Sequence, residues 1–165
     1  MFVDEMHDAL MLYFDGEKHA GLYLAAAGAV IIVFAAVLLR PLRSFAVTLI
    51  VLAIAEIALG VGLYLRTGPQ IKSLVAQLGS EPARFHSEEN VRMERVQRNF
   101  VIVQYVELSM ILLGAILAVT QKNRPVIAGI ALGLLIHAAL LLAFDLIAER
   151  RGAVYLRSLI AASGT

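Results

Sequence analysis

Apolar residues gather into four long runs along this chain, and the length of each run is the first thing that bears on its structure. Residues 20–39 hold no charged side chain and end at Arg40, Pro41 and Arg43, while residues 44–65 hold a single charge, Glu56. Residues 100–120 also hold one, Glu107, and in the fourth run, 125–147, the stretch as far as Phe144 has His137 as its only titratable group. A helix of about 20 residues crosses a hydrocarbon layer about 30 Å thick, so each run predicts a transmembrane helix. Residues 40–43 and 121–124 leave room only for tight turns, which predicts two antiparallel hairpins. The expected fold class is an all-α integral membrane protein, a four-transmembrane-helix bundle with helical extensions on the side that bears the termini.

The polar intervals carry patterns of their own. Within residues 1–18, Phe2, Met6, Ala9, Leu10, Tyr13 and Phe14 recur at helical spacing opposite Asp4, Glu5, Asp8 and Asp15, which predicts a short amphipathic helix. Its acidic face favours packing on protein over lying on anionic lipid. The segment lacks the basic start and small-residue cleavage site of a secretory signal, so it is read as part of the mature protein. Residues 67–99 form the one long connection. There Gly68 and Pro69 are expected to break the second helix, and Ile71, Leu74, Val75 and Leu78 to form a short amphipathic helix ended by Gly79. Ser80 or Ser87 would cap the next helix. From Glu88 the pattern of Val91, Met93, Val96 and Phe100 runs unbroken into the third span, with Glu88–Arg92 and Glu94–Arg98 spaced as i,i+4 ion pairs. Residues 148–165 read as a continuation of the fourth helix, with Gly152 as a stop or bend. All of this is one membrane domain, 1–165.

Composition strengthens the membrane reading. Hydrophobic residues make up 60% of the chain, charged ones 16%, and the mean hydropathy is +0.81, beyond the roughly 45–50% apolar share of soluble domains. There is no cysteine, which excludes disulfides, thiolate ligands and cysteine nucleophiles. The net charge of +1 argues against a nucleic-acid partner. Charge placement bears on orientation instead, because positive residues concentrate on the cytoplasmic side of membrane spans. An even number of spans puts the termini and the 67–99 connection together, with Lys18, Arg66, Lys72, Arg84, Arg92, Arg95, Arg98, Arg150, Arg151 and Arg157. The opposite side has Arg40, Arg43, Lys122 and Arg124. The count favours cytoplasmic termini in a cell (inner) membrane, although the four on the second side are packed into very short loops with no acid.

Ionisable groups inside the spans are the candidate chemistry, since a centrally placed charge costs roughly 2.5–3.5 kcal/mol on insertion scales. Counted from the terminus-bearing side, Glu56 and His137 lie about 15 Å deep and Glu107 about 12 Å. With Gln104, Tyr23 and Tyr64 in the same half, these groups predict a polar half-cavity open toward the termini. A structural reading stands beside it, in which Glu and His are hydrogen-bonded pairs that fix helix register. A metal site of Glu56, Glu107 and His137 would suit iron, manganese or zinc, but no Glu-x-x-His spacing supports it. A second candidate is a charged cluster at the membrane surface, His86, Glu89, Arg92, Arg95, Asp145, Glu149 and Arg151, which is either a partner or headgroup site or a solvated helix face. No GxSxG, Walker, GxGxxG or HExxH motif is present. The reading is a non-enzymatic bundle that binds a ligand, a lipid or a partner and needs no cofactor. The alternative is an oligomeric channel or a proton- or ion-coupled permease component, with a membrane metalloenzyme behind both. The expected partners are the lipid bilayer and either a second copy or a partner membrane subunit.

Overall fold

The computed structural model describes residues 2–162, with the backbone alone for Phe2, and is all-helical over that range. Four helices of nearly equal length make up the molecule: α1 (Phe2–Leu38), α2 (Arg43–Ser80), α3 (Pro82–Thr120) and α4 (Pro125–Ala162). All four are long and apolar enough to cross a membrane. Their composition explains their persistence, because Ala, Leu, Ile and Val fill the central turns. Three of the four prolines stand where a helix is not interrupted, Pro41 in the turn after α1 and Pro82 and Pro125 at the first positions of α3 and α4; Pro69 alone lies inside a helix.

Several expected boundaries dissolve. Residues 1–18 do not form a separate helix: from Phe2 onward they are the first half of α1. Gly68 and Pro69 do not end α2, which runs through Pro69 to Ser80. Proline removes one backbone hydrogen bond there, and it does so where the chain has left its apolar run, so water can reach the freed carbonyl. Only Glu81 separates α2 from α3, and neither serine caps α3; Ser80 donates instead to the Ala76 carbonyl. Gly152 does not stop α4. The expected continuation at 148–165 holds as far as Ala162, and the last three positions lie outside the described residues.

The polar and apolar halves of the molecule are packed by different means. Around the termini and the α2–α3 junction, Met6, Leu10, Phe14, Leu78, Phe85, Met93, Tyr155 and Leu159 form one buried cluster drawn from all four helices. This is a core of ordinary soluble kind, where each large side chain taken from water is worth about 1.5–3 kcal/mol. The apolar half has only a small cluster, Ala35, Phe45, Ala46 and Leu49, between the end of α1 and the beginning of α2. Only 11% of the most apolar stretch of α3 and 17% of that of α1 are buried, and the contacts are made by small residues. Gly21 lies against Gly60 and Gly28 against Ala53, while Gly114 meets Ala131 and Gly129 meets Ser44 and Phe45. Backbones approach this closely only where side chains are absent, the usual means by which helices associate when burial from water gives no driving force.

The contacts also order the helices. α1 packs on α2, α2 on α4 and α4 on α3. Contacts of α1 with α4 fall in the polar half, at Tyr13 with Tyr155 and Gly16 with Arg151, as does the α2–α3 bond of Gln77 to Glu88. The polar half is thus a closed bundle with one cluster drawn from all four helices, whereas in the apolar half α1 and α3 are the least buried members.

Candidate functional site

Two places gather polar chemistry, one in each half. In the apolar half, Gly129 and Gly133 bring α4 against Ser44, Phe45 and Thr48 of α2. One turn further along the same face of α4, His137 faces Glu56 across the seam, Nε2 to Oε2 3.8 Å, with both side chains 3% exposed. That distance is too long for a hydrogen bond, and the contact is ionic only when the imidazole is protonated. Glu107 is 5% exposed and shares a face of α3 with Gly114, which packs on Ala131 and Leu135 of α4. Glu107 therefore belongs to the α3–α4 seam and the His137–Glu56 pair to the α2–α4 seam, with α4 between them. Among the described residues no three His, Asp or Glu side chains are grouped closely enough to hold a metal ion. Glu56 Oε2, Glu107 Oε2, Gln104 Nε2 and His137 Nδ1 are all buried without a hydrogen-bond partner.

The expected half-cavity takes a different form. Tyr23 and Tyr64 are turned outward, 60% and 40% exposed, and both sit beside the basic residues that end the apolar runs. Lys18 Nζ lies 5.0 Å from the centre of the Tyr64 ring, and the Tyr23 ring neighbours His19. Outward tyrosines at this level are what an interfacial belt requires, with the ring in the apolar layer and the hydroxyl toward water. None of the three best-formed grooves on the described residues is lined by Glu56, Gln104, Glu107 or His137. One of them, about 880 Å³, lies at the opposite end, between the beginnings of α2 and α4. The sequence signal for it was the acid-free pair of basic loops, but hydropathy does not show that two helix ends stand side by side.

In the polar half, the charged cluster separates into interior and surface. Phe85, Glu89 and Met93, four apart, form the buried face of α3. Glu89 is therefore an interior carboxylate, its side chain 1% exposed, and it accepts two hydrogen bonds from Arg92, from Nε at 2.7 Å and from a terminal nitrogen at 2.6 Å. This i,i+3 fork replaces the expected Glu88–Arg92 pair, and Glu88 bonds Arg84 and Gln77 instead. The Arg92 guanidinium lies 5.3 Å from the Phe14 ring centre, and Tyr13 stacks on Tyr155 at 4.8 Å. Burial holds Tyr155 well above its usual pKa, and the neighbouring Glu89 carboxylate adds to the shift. Burial and Glu17 do the same for Tyr13. For Arg92, burial works against the charge and the bonds from Glu89 outweigh it, so its pKa is raised.

The other members of the cluster tie helices together. His86 Nε2 meets the Leu159 carbonyl at 2.7 Å. Arg151 donates to the Gly16 carbonyl, and Gln97 donates to the Glu149 carbonyl at 3.3 Å. Asp145 is half-buried and Arg95 exposed. Sequence reasoning missed the Tyr13–Tyr155 stack and the approach of Gln97 to Gly152. The spacing of Met6, Leu10 and Phe14 marks the face of α1 that meets α4, but nothing in it names Tyr155 as the partner. Neither protein-family models, nor curated proteins, nor solved structures give a match to this chain.

Proposed function

We propose that this chain is a small polytopic membrane protein, two antiparallel hairpins whose apolar half spans the bilayer, and that it acts by binding and not by catalysis. The observation that carries the reading is the set of ionisable side chains in the apolar half, Glu56, His137 and Glu107, each at most 5% exposed and each with a polar atom that no protein group satisfies. Such atoms are costly in hydrocarbon, and a membrane protein that keeps them has a use for them. Two seams at one depth, opening toward an incompletely covered α3, suit a small polar ligand, a lipid headgroup or a polar group from a partner helix. The closed polar bundle with its Arg92–Glu89 core is the rigid base on which the spans stand. Ten positive residues on the terminus side against four on the loop side support cytoplasmic termini.

An oligomeric channel or permease component is the second reading. It is favoured by the low burial of α3, whose exposed face could meet other copies. Glu56→Gln and Glu107→Gln separate the two. Under the binding reading, native mass spectrometry of purified wild type shows a retained small molecule, lipid or companion protein that both variants lose, with no change in ion or proton flux in liposomes. Flux that depends on either carboxylate would favour the permease, and a clean protein with neither companion nor flux would defeat both. Because the chain has no cysteine, His7→Cys and Asn123→Cys report placement directly. The two thiols should react with an impermeant reagent from opposite sides of sealed vesicles.

A further inference from the structure

The loop end of the molecule carries a feature that the binding reading above does not use. The 880 Å³ groove between α2 and α4 has an apolar wall of Phe45, Val47, Val126, Ile130 and Leu132, with Arg43 at its mouth. Its volume is that of a site for a molecule of substantial size, in the roughly 300–1,000 Å³ range of ligand pockets. Gly129, in close approach to Ser44 and Phe45, is among its lining residues. Arg43 lines the groove itself, and Arg40, Lys122 and Arg124 belong to the two connecting segments at this end; all four are exposed, and none pairs with a carboxylate among the described residues. The two connecting segments contain no Asp or Glu at all.

We propose that this groove is a binding site for an anionic phospholipid, with an acyl chain along the apolar wall and the phosphate among the four basic side chains. The wall needs a long apolar segment and the mouth needs an anion, and the bilayer supplies both in one molecule. A soluble anion would leave the wall uncovered. A second copy meeting this one loop end to loop end would oppose four cations with four more, which is repulsive. The α2 helix also begins here without a side-chain cap, so its first N–H groups add to the attraction for a phosphate oxygen. The site rests on the membrane placement proposed above, but on neither orientation nor the Glu56, Glu107 and His137 groups.

The test uses the full chain in nanodiscs of phosphatidylcholine with a minor share of phosphatidylglycerol, followed by native mass spectrometry of the lipids retained on release. Wild type should keep phosphatidylglycerol in preference to phosphatidylcholine. The double variant R43Q/R124Q should weaken that preference about tenfold, and Ile130→Trp, which fills the groove without changing charge, should abolish retention. Lys72→Gln with Arg98→Gln, at the other end, should change neither. Equal retention of the two lipids by wild type would overturn the proposal, as would an unchanged preference in R43Q/R124Q, or an adduct that proves to be inorganic phosphate or a second copy. Failure of the chain to enter the bilayer would defeat the membrane reading itself. Entry without lipid preference would defeat only this site.

Discussion

Gly60 and Gly62 stand two residues apart on α2 and make a matched test of what holds the apolar half together. A Cβ at Gly60 would lie 2.5 Å from the Gly21 carbonyl oxygen and 2.7 Å from the Ala25 nitrogen. Both are backbone atoms of α1, so neither can rotate aside. Gly60→Ala must therefore push α1 and α2 apart by about 1 Å, and a gap of that order forfeits a quarter to a half of each contact's attraction. Overpacking at a single site costs about 1–3 kcal/mol. Because Gly21 and Gly28 make similarly close approaches along the same seam, the upper part of that range, about 2–3 kcal/mol, is expected here. A Cβ at Gly62 meets nothing within 4 Å, so Gly62→Ala removes only the freedom of glycine and stabilises by roughly 0.5–1 kcal/mol. At about 2–4 °C per kcal/mol for a chain of this size, G60A should lower Tm by about 4–12 °C and G62A raise it by about 1–4 °C. Loss of helical circular dichroism on heating, in one fixed detergent, measures both. Equal midpoints, or a less stable G62A, would refute the argument that backbone contact forms this seam.

Two further outcomes concern the polar half. The Glu89 side chain is 1% exposed and that of Arg92 29%, so the ion pair should respond unequally to the loss of either partner. R92M strands a carboxylate that water cannot reach and should cost about 3–5 kcal/mol. E89Q leaves a guanidinium that can turn to solvent and should cost about 1–2 kcal/mol. The reverse order in thermal unfolding would mean that Glu89 does not depend on Arg92. Tyr13 and Tyr155 have raised pKa values in the fold, whereas unfolded tyrosines ionise near pH 10. Above that pH the unfolded chain has released protons that the native one keeps, so stability is intact below about pH 10 and falls as pH rises beyond it. Tyrosinate absorbance should show these two of the five tyrosines titrating only as helicity is lost. Their ionisation with helicity unchanged would count against their burial.

The hydropathy pattern of this chain determined a good deal by itself. The four runs and the two tight connections come from the positions of apolar and charged residues, and the structure agrees that four helices are long and apolar enough to cross a membrane, each continuing well past its apolar run. The spacing of Met6, Leu10 and Phe14 was legible as one buried face because the rest of that helix is polar and water sorts the two sides. Tertiary structure alone decided which faces meet within each pair and that the pairs join through α2 and α4. In the apolar runs every face is apolar, so periodicity cannot distinguish a face that meets another helix from one that meets lipid. Small residues at 21, 28, 60, 114, 129 and 133 permit close approach without naming a partner. That ambiguity is why the sequence could not assign Glu107 to the seam of α3 with α4 and the His137–Glu56 pair to that of α2 with α4. It is also why Tyr23 and Tyr64 read as cavity residues. In water, burial separates inside from outside along each helix, but in an apolar layer the division is made by close packing, which depends on the partner helix.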